Sequence, residues 1–423
     1  MKYKLGDLGP WLDIFNAEIT VYHMWDESCV GLASHDAVTQ TLKFSLPSGH
    51  PPGAFGVKKY VVWNVREGMK APGQWYLDRA AGKVVYWPLP NEDMTNADAI
   101  APTVESIFRL KGTKETPVRD VTLKGLTLSV THTPLKAGGF GANAFDGAVS
   151  MAFARQCRAS ELTVFNVGGQ GIKAWGCRGV RIENCETREV GACGMKVDGL
   201  DSVVTNNHVH HVGVLYPSAI GVWIHGERAE VSHNEIHDTP YTAIAGGGHD
   251  HRIERNLIYK AMEALHDGAG IYITFCKGVT LRQNIIRDII ETGGYGASAY
   301  YLDEQAENCL VEGNLSLRVN RPSHNHMAKS NVIRGNVFLV EGEAKLTFPR
   351  SSEFTLERNV ICATGKIRID NPHRLQLTIG LAPGLVCERD PRAADELTRL
   401  VTPHDAAFVR RDECHLAEVE AEI

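Results

Sequence analysis

Val279-Thr280-Leu281-Arg282-Gln283-Asn284 is the stretch from which the fold is read. Its first four positions alternate apolar and polar, a two-residue period that belongs to a strand and not to a helix. It closes on Asn284, three positions after Leu281. The same spacing returns at Asn207, Asn234, Asn256, Asn314, Asn336 and Asn359, preceded by Val204, Val231, Ile253, Val311, Ile333 and Leu356. Ile182 keeps it once more, with Cys185 in the Asn slot. From Cys185 the slot advances by 22, 27, 22, 28, 30, 22 and 23 residues. A period in the twenties, built of β-branched strands and turn residues, predicts a solenoid of coils. Asn at one corner of every coil can hydrogen-bond its copies above and below, and Asn tolerates the left-handed backbone that a tight corner needs. The expectation is a parallel β-helix.

The strand that precedes each Asn slot gives the solenoid a face. These strands are expected at Gly171–Gly176, Gly194–Gly199, Gly221–Gly226, Ala243–Gly248, Gly270–Phe275, Ala299–Glu304 and His324–Lys329. Inward positions read Ile172, Met195, Val222, Ile244, Ile271 and Tyr300, mostly apolar as a core requires. One outward column reads Lys173, Lys196, Trp223, Ala245, Tyr272, Tyr301, His326. The next reads Trp175, Asp198, His225, Gly247, Thr274, Asp303. Aromatics, cations and carboxylates in register suit a groove that holds a sugar chain. The three long coils carry their extra residues in His208–Ala219, Leu257–Ala269 and Ile285–Ser298, all on one side, as insertions at a binding face do.

The chain has 423 residues and a net charge of −6. No basic run points to nucleic acid, and no apolar stretch of about 18 residues points to a membrane span. The start, Met1-Lys2-Tyr3-Lys4-Leu5-Gly6, lacks the apolar segment of a signal peptide, which leaves localisation open. Oligomeric state is not readable either. Ten Cys without close pairing read as reduced, buried thiols. Three regions are expected: a small β domain at 1–112, the β-helix at 113–372, and a cap or tail at 373–423 with a short helix at Ala393–Leu400. Within the first, Gly73–Asp78 and Val84–Pro88 around Arg79–Lys83 predict a hairpin.

Glycosidic cleavage commonly uses two carboxyl groups, one giving a proton to the leaving oxygen and one acting as base or nucleophile. His266-Asp267-Gly268-Ala269-Gly270-Ile271-Tyr272 and Tyr300-Tyr301-Leu302-Asp303-Glu304 lie on adjacent coils, ~4.8 Å apart. Asp267 and Asp303 are therefore the candidate pair. Asp267-Gly268 is also a common turn, and Asp303 sits where it can cap one. Glu304 is the rival, because a one-residue slip exchanges it with Asp303. Trp223, Tyr272 and Tyr301 are candidates to stack on sugar faces or simply to cover the wall. His225, His324 and His326 can orient hydroxyls, Asp198 can bind at a distance, and Lys173 and Lys196 suit an acidic sugar or plain solvation. The runs His208-Val209-His210-His211 and His249/His251 have a ligand-like spacing, but no metal is expected there. No nucleotide or calcium motif appears, so no cofactor is expected.

Together, Pro72-Gly73-Gln74-Trp75-Tyr76-Leu77-Asp78, the His266–Tyr272 motif and Tyr301-Leu302-Asp303 resemble right-handed parallel β-helix glycoside hydrolases. The likeness covers roughly residues 10–370. It is nearest to glycoside hydrolase family 141 and more distantly to family 120. The resemblance implies a right-handed β-helix with a small β domain, fucosidase- or xylanase-like hydrolysis of plant-type polysaccharide, and a catalytic aspartate pair at Asp267 and Asp303. Relatives are often secreted or periplasmic and carry further coils ahead of the small β domain. This chain starts where those coils should end, so either residues 1–112 cap the solenoid or the sequence is a shortened form. Two other readings stay open. A lyase or epimerase on the same scaffold would work through Lys173, Lys196, His225 or Tyr272. A carbohydrate-binding β-helix without catalysis would need none of them for chemistry.

Overall fold

A computed structural model describes residues 1–289 and 291–370. The expected C-terminal cap at 373–423, with its helix at Ala393–Leu400, lies outside the described residues. The chain is a right-handed parallel β-helix. Each coil contributes three strands, for example Val222–Glu227, Glu230–Ser232 and Glu235–His237, and like strands stack into three parallel sheets. The longest sheet begins with Phe108–Lys111, which pairs in parallel with Val149–Ala152, so the solenoid starts just ahead of the boundary expected at 112/113. The inward column is buried throughout: Ile172, Met195, Val222, Ile244, Ile271 and Tyr300 are all 0% exposed.

The Asn slots form a continuous ladder. Asn207 Nδ2 donates to Asn234 Oδ1 at 3.0 Å, Asn234 to Asn256 at 2.9 Å, Asn256 to Asn284 at 3.0 Å, and so on to Asn359. Each Oδ1 also accepts the slot N–H of the coil before, and each Nδ2 also reaches a carbonyl of that coil, as Asn284 does with Ile253 O at 2.8 Å. Cys185 ends the amide ladder: its N–H goes to Asn207 Oδ1, and its Sγ stands in for the amide by accepting Leu162 N–H at 3.4 Å and reaching Ala159 O at 3.7 Å. The left-handed corner expected at the Asn lies one residue earlier, at Asn206, His233, Arg255, Gln283, Gly313, Gly335 and Arg358. The slot Asn turns inward to bond, and its predecessor absorbs the turn. Asn284→Ala leaves four hydrogen bonds of buried groups unmade, whereas Asn359→Ala acts at a half-buried end that water can reach. The first change is expected to cost roughly 2–4 kcal/mol and the second clearly less, measured as shifts of the unfolding midpoint.

Ahead of the solenoid, Glu18–Tyr22, Glu27–Asp36, Thr41–Phe44 and Tyr60–Trp63 form an antiparallel sheet, and the expected hairpin is present as Trp75–Asp78 with Lys83–Tyr86. This sheet docks on the solenoid through a buried acid. Glu27 Oε2 accepts Ser218 N–H at 2.6 Å, and Ser218 Oγ donates to Gly139 O and accepts Ala142 N–H. A Cβ on Gly138 would lie 1.8 Å from Glu27 Oε1, so the carboxyl occupies space that only glycine leaves. Burial pushes Glu27 up to about 8, which keeps it a neutral acid at pH 7. The linkage holds the short turn Phe140–Ala142 against the solenoid wall.

Candidate active site

Strand pairing sets Tyr272 directly against Tyr301 on the next coil. Both belong to the outward column, yet both are buried, at 8% and 2% exposure. Of the two roles expected for them, stacking on sugar faces or covering the wall, their burial favours the second. Phe140 covers the wall, its ring 6.1 Å from Tyr272 and from Tyr241 and 5.7 Å from Trp223. The two tyrosines meet edge to face at 4.9 Å, a favourable quadrupole geometry. What they offer is their hydroxyls.

Those hydroxyls brace the candidate carboxylates in a crossed manner. Tyr272, on the earlier coil, donates to Asp303 Oδ2 of the later coil at 2.6 Å. Tyr301, on the later coil, donates to Asp267 Oδ1 of the earlier one at 3.2 Å. Asp303 begins the corner after Ala297–Leu302, its N–H bonded to Ile273 O, and His326 Nδ1 lies 2.8 Å from its Oδ1. Asp267 lies in the loop between Leu257–Tyr259 and Gly268–Lys277, one of the three long-coil insertions. It has a left-handed backbone (φ 59°), its N–H bonds Gly296 O, and its carbonyl accepts the buried Tyr241 hydroxyl at 2.8 Å. A non-glycine residue held there by three fixed partners carries strain that the surroundings sustain.

The environments of the two aspartates differ. Burial, then the charge of Asp303, pushes Asp267 up to about 6, against the opposing hydrogen bond from Tyr301. Asp267 is thus raised toward neutrality, and Asp303 accepts the Tyr272 hydroxyl. Tyr272 and Tyr301 are driven far above the usual phenol range, by burial first, so they donate and do not ionise. Behind them, Arg321 is largely buried, its Nε on Ser298 Oγ at 2.6 Å, and its charge bears on Asp267. His324 stacks obliquely over Tyr301 at 4.3 Å. Burial, then Arg321, holds it well below the usual histidine range and therefore neutral.

The register at this last coil needs one correction. Tyr301 pairs with His324, not with His326, and His326 stands two residues further along the same face. That slip brings His326 to Asp303. Glu304 turns the corner, its carbonyl accepting Phe275 N–H and the Thr274 hydroxyl. The remaining candidates lie on earlier coils and are engaged among themselves. Lys173 Nζ donates to Phe145 O at 2.7 Å. Lys196 bonds Asn143 Oδ1 and sits 4.3 Å over the half-buried Trp223. Asp198 pairs with the exposed His225 at 3.6 Å. The residues 140–146 close over this part of the wall, so Lys173 is spent on structure. Tyr241, Arg321 and Phe140 escaped the sequence reading. Tyr241 and Arg321 stand in the same turns, just before the long-sheet strands, where Asp267 stands. Phe140 arrives from a distant segment, which no local pattern reveals.

A family model described as a right handed beta helix region matches residues 170–338. A solved structure described as a glycoside hydrolase superposes with a TM-score of 0.62 at 20% identity, over 77% of this chain and 68% of its own. A complex of XylC with xylose gives 0.46 at 11% identity, over 86% and 70%. A GH136 lacto-N-biosidase from Eubacterium ramulus gives 0.43 at 13%, over 67% and 60%. No curated protein sequence matches the chain. The family model and the structure at a TM-score of 0.62 define the class of protein by fold, a right-handed parallel β-helix. The resemblance to families 141 and 120 rests on the sequence motifs alone.

Proposed function

We propose that this chain hydrolyses a glycosidic bond in a plant-type poly- or oligosaccharide, with Asp267 as the proton donor to the leaving oxygen and Asp303 as nucleophile or general base. The observation that carries the reading is the crossed bracing of two coupled carboxyls on adjacent coils, one of them pushed up to about 6 by burial. Two carboxyls whose environments separate their roles are what acid and base assistance across one bond requires. The likeness to a glycoside hydrolase on the same scaffold agrees with this, and the fucosidase- or xylanase-like substrate class comes from the motif resemblance. Proton abstraction by Tyr272, as a lyase would need, is disfavoured because its phenol is buried, spent on Asp303 and hard to ionise.

The pH profile tests the assignment. An acid must enter the reaction protonated, so kcat/KM is expected to fall about tenfold per pH unit above roughly 6, the value to which Asp267 is raised. Asp267→Asn should abolish that alkaline limb. A profile that stays flat to pH 8 on the wild-type chain would remove Asp267 from the acid role.

A further inference from the structure

The turn between the first two strands of the N-terminal sheet carries chemistry that neither the fold nor the aspartate pair uses. His23 N–H closes this turn on Asp26 O at 2.9 Å. His50, from the loop after Thr41–Phe44, brings its Nδ1 to 3.1 Å from Asp26 Oδ1 and its ring to 5.3 Å from that of His23. One ring nitrogen of each histidine and one oxygen of Asp26 all lie within 4.8 Å of one another. His23 is 0% exposed and Asp26 4%, while His50 is partly open to solvent.

A second observation points to a ligand. His23 Nε2 is bonded to Ser28 Oγ at 3.1 Å, and Ser28 Oγ also receives Gly49 N–H. His23 Nδ1 is buried and has no hydrogen-bond partner. A buried imidazole nitrogen left without a partner is costly unless something fills that place. On the other side His50 is wedged against Trp25 and Phe55, at 5.7 and 5.2 Å, which fixes the ring and gives the cluster an apolar wall.

We infer that His23, Asp26 and His50 form a site for one divalent transition-metal ion of the zinc class. Two imidazoles and one carboxylate suit zinc, iron or nickel, whereas calcium and magnesium select oxygen donors. Three protein ligands leave a coordination position for water, on the side where His50 meets solvent. Met24 lies between two of the ligands, and its carbonyl accepts His266 N–H at 2.9 Å. An ion at this point would tie the turn to the loop bearing His50 and stiffen the edge of the N-terminal sheet where it abuts the Asp267 loop.

Another cluster, His208, His210 and His237, meets the same distance limit but has a different explanation. His210 stacks on His237 at 4.9 Å and 9°, and His237 on Tyr259 at 4.5 Å and 10°, with Arg287 over Tyr259. His208 Nε2 and His237 Nε2 already bond each other at 2.8 Å, His210 Nε2 reaches Glu186 and His237 Nδ1 reaches Asp238, so the nitrogens of this column have partners where His23 Nδ1 has none. The column serves as the control.

The test uses the full chain, stripped with chelator, loaded with zinc, desalted and assayed for metal content. One zinc per chain is expected, with binding about tenfold weaker or worse in both His50→Ala and Asp26→Asn and unchanged stoichiometry in His237→Ala. Cobalt in place of zinc should give visible ligand-field bands in the wild-type chain, a readout that does not depend on any variant folding. Absence of retained zinc and of cobalt bands in the wild type would overturn the inference. So would loss of zinc in His237→Ala with retention in His50→Ala. None of these outcomes depends on glycosidic activity.

Discussion

Asp303→Asn should lower turnover by roughly four orders of magnitude while leaving the fold and substrate binding close to wild type. The change is nearly isosteric at a site that is only 8% exposed. The amide oxygen can still accept the Tyr272 hydroxyl, and the turn bond from Asp303 N–H to Ile273 O belongs to the backbone and persists. What disappears is the negative charge that would attack the anomeric carbon or take a proton from water. An effect confined to kcat would mark a group that acts in the transition state, whereas an effect confined to KM would mark a binding group. Near-wild-type kcat in a folded Asp303→Asn chain would remove this residue from the chemistry and return attention to Glu304.

Asp267→Asn should act differently, and the difference assigns the roles. An acid matters in proportion to the leaving group's need for a proton. On a natural glycoside, with a poor leaving alcohol, a loss of about 10^2 to 10^4 is expected. On an aryl glycoside with an acidic phenol as leaving group, cleavage at the first step should stay within about tenfold of wild type, because that phenol departs as its anion. The Tyr301 hydroxyl retains an acceptor in the amide oxygen, so the brace between the coils survives. Equal losses on both substrates would contradict the acid role and would exchange the assignments of the two aspartates.

The parts legible in the sequence are those that repeat. The slot spacing and the inward column depend on one local rule applied coil after coil, and a two-residue period decides which side chains point inward. Even so, the Asn slot could be found without showing which residue bears the left-handed strain, since Asn206 and Asn207 look alike until their hydrogen bonds are traced. The face of His326 was legible but its level was not: the slip from His326 to His324 is two residues, which preserves the face and changes the neighbour. Exposure failed for a different reason. Tyr272 points outward on its strand and is covered by Phe140, a placement that depends on Glu27, Ser218 and Gly139 meeting from three separate segments, while Tyr301 is packed between Tyr272 and His324. The cluster of His23, Asp26 and His50 was invisible for the same reason, its ligands being gathered by an antiparallel turn and a loop without a period.

The most direct test of the central claim is a product assay in oxygen-18 water, run on a panel of aryl glycosides and plant polysaccharides with the wild-type chain and both Asp→Asn variants. Expected are new reducing ends that carry one solvent oxygen each, no unsaturated product absorbing in the near ultraviolet, and loss of the reaction in Asp303→Asn. Unsaturated ends without solvent oxygen, or glycan binding that both variants retain while no bond is cleaved by the wild type, would contradict it.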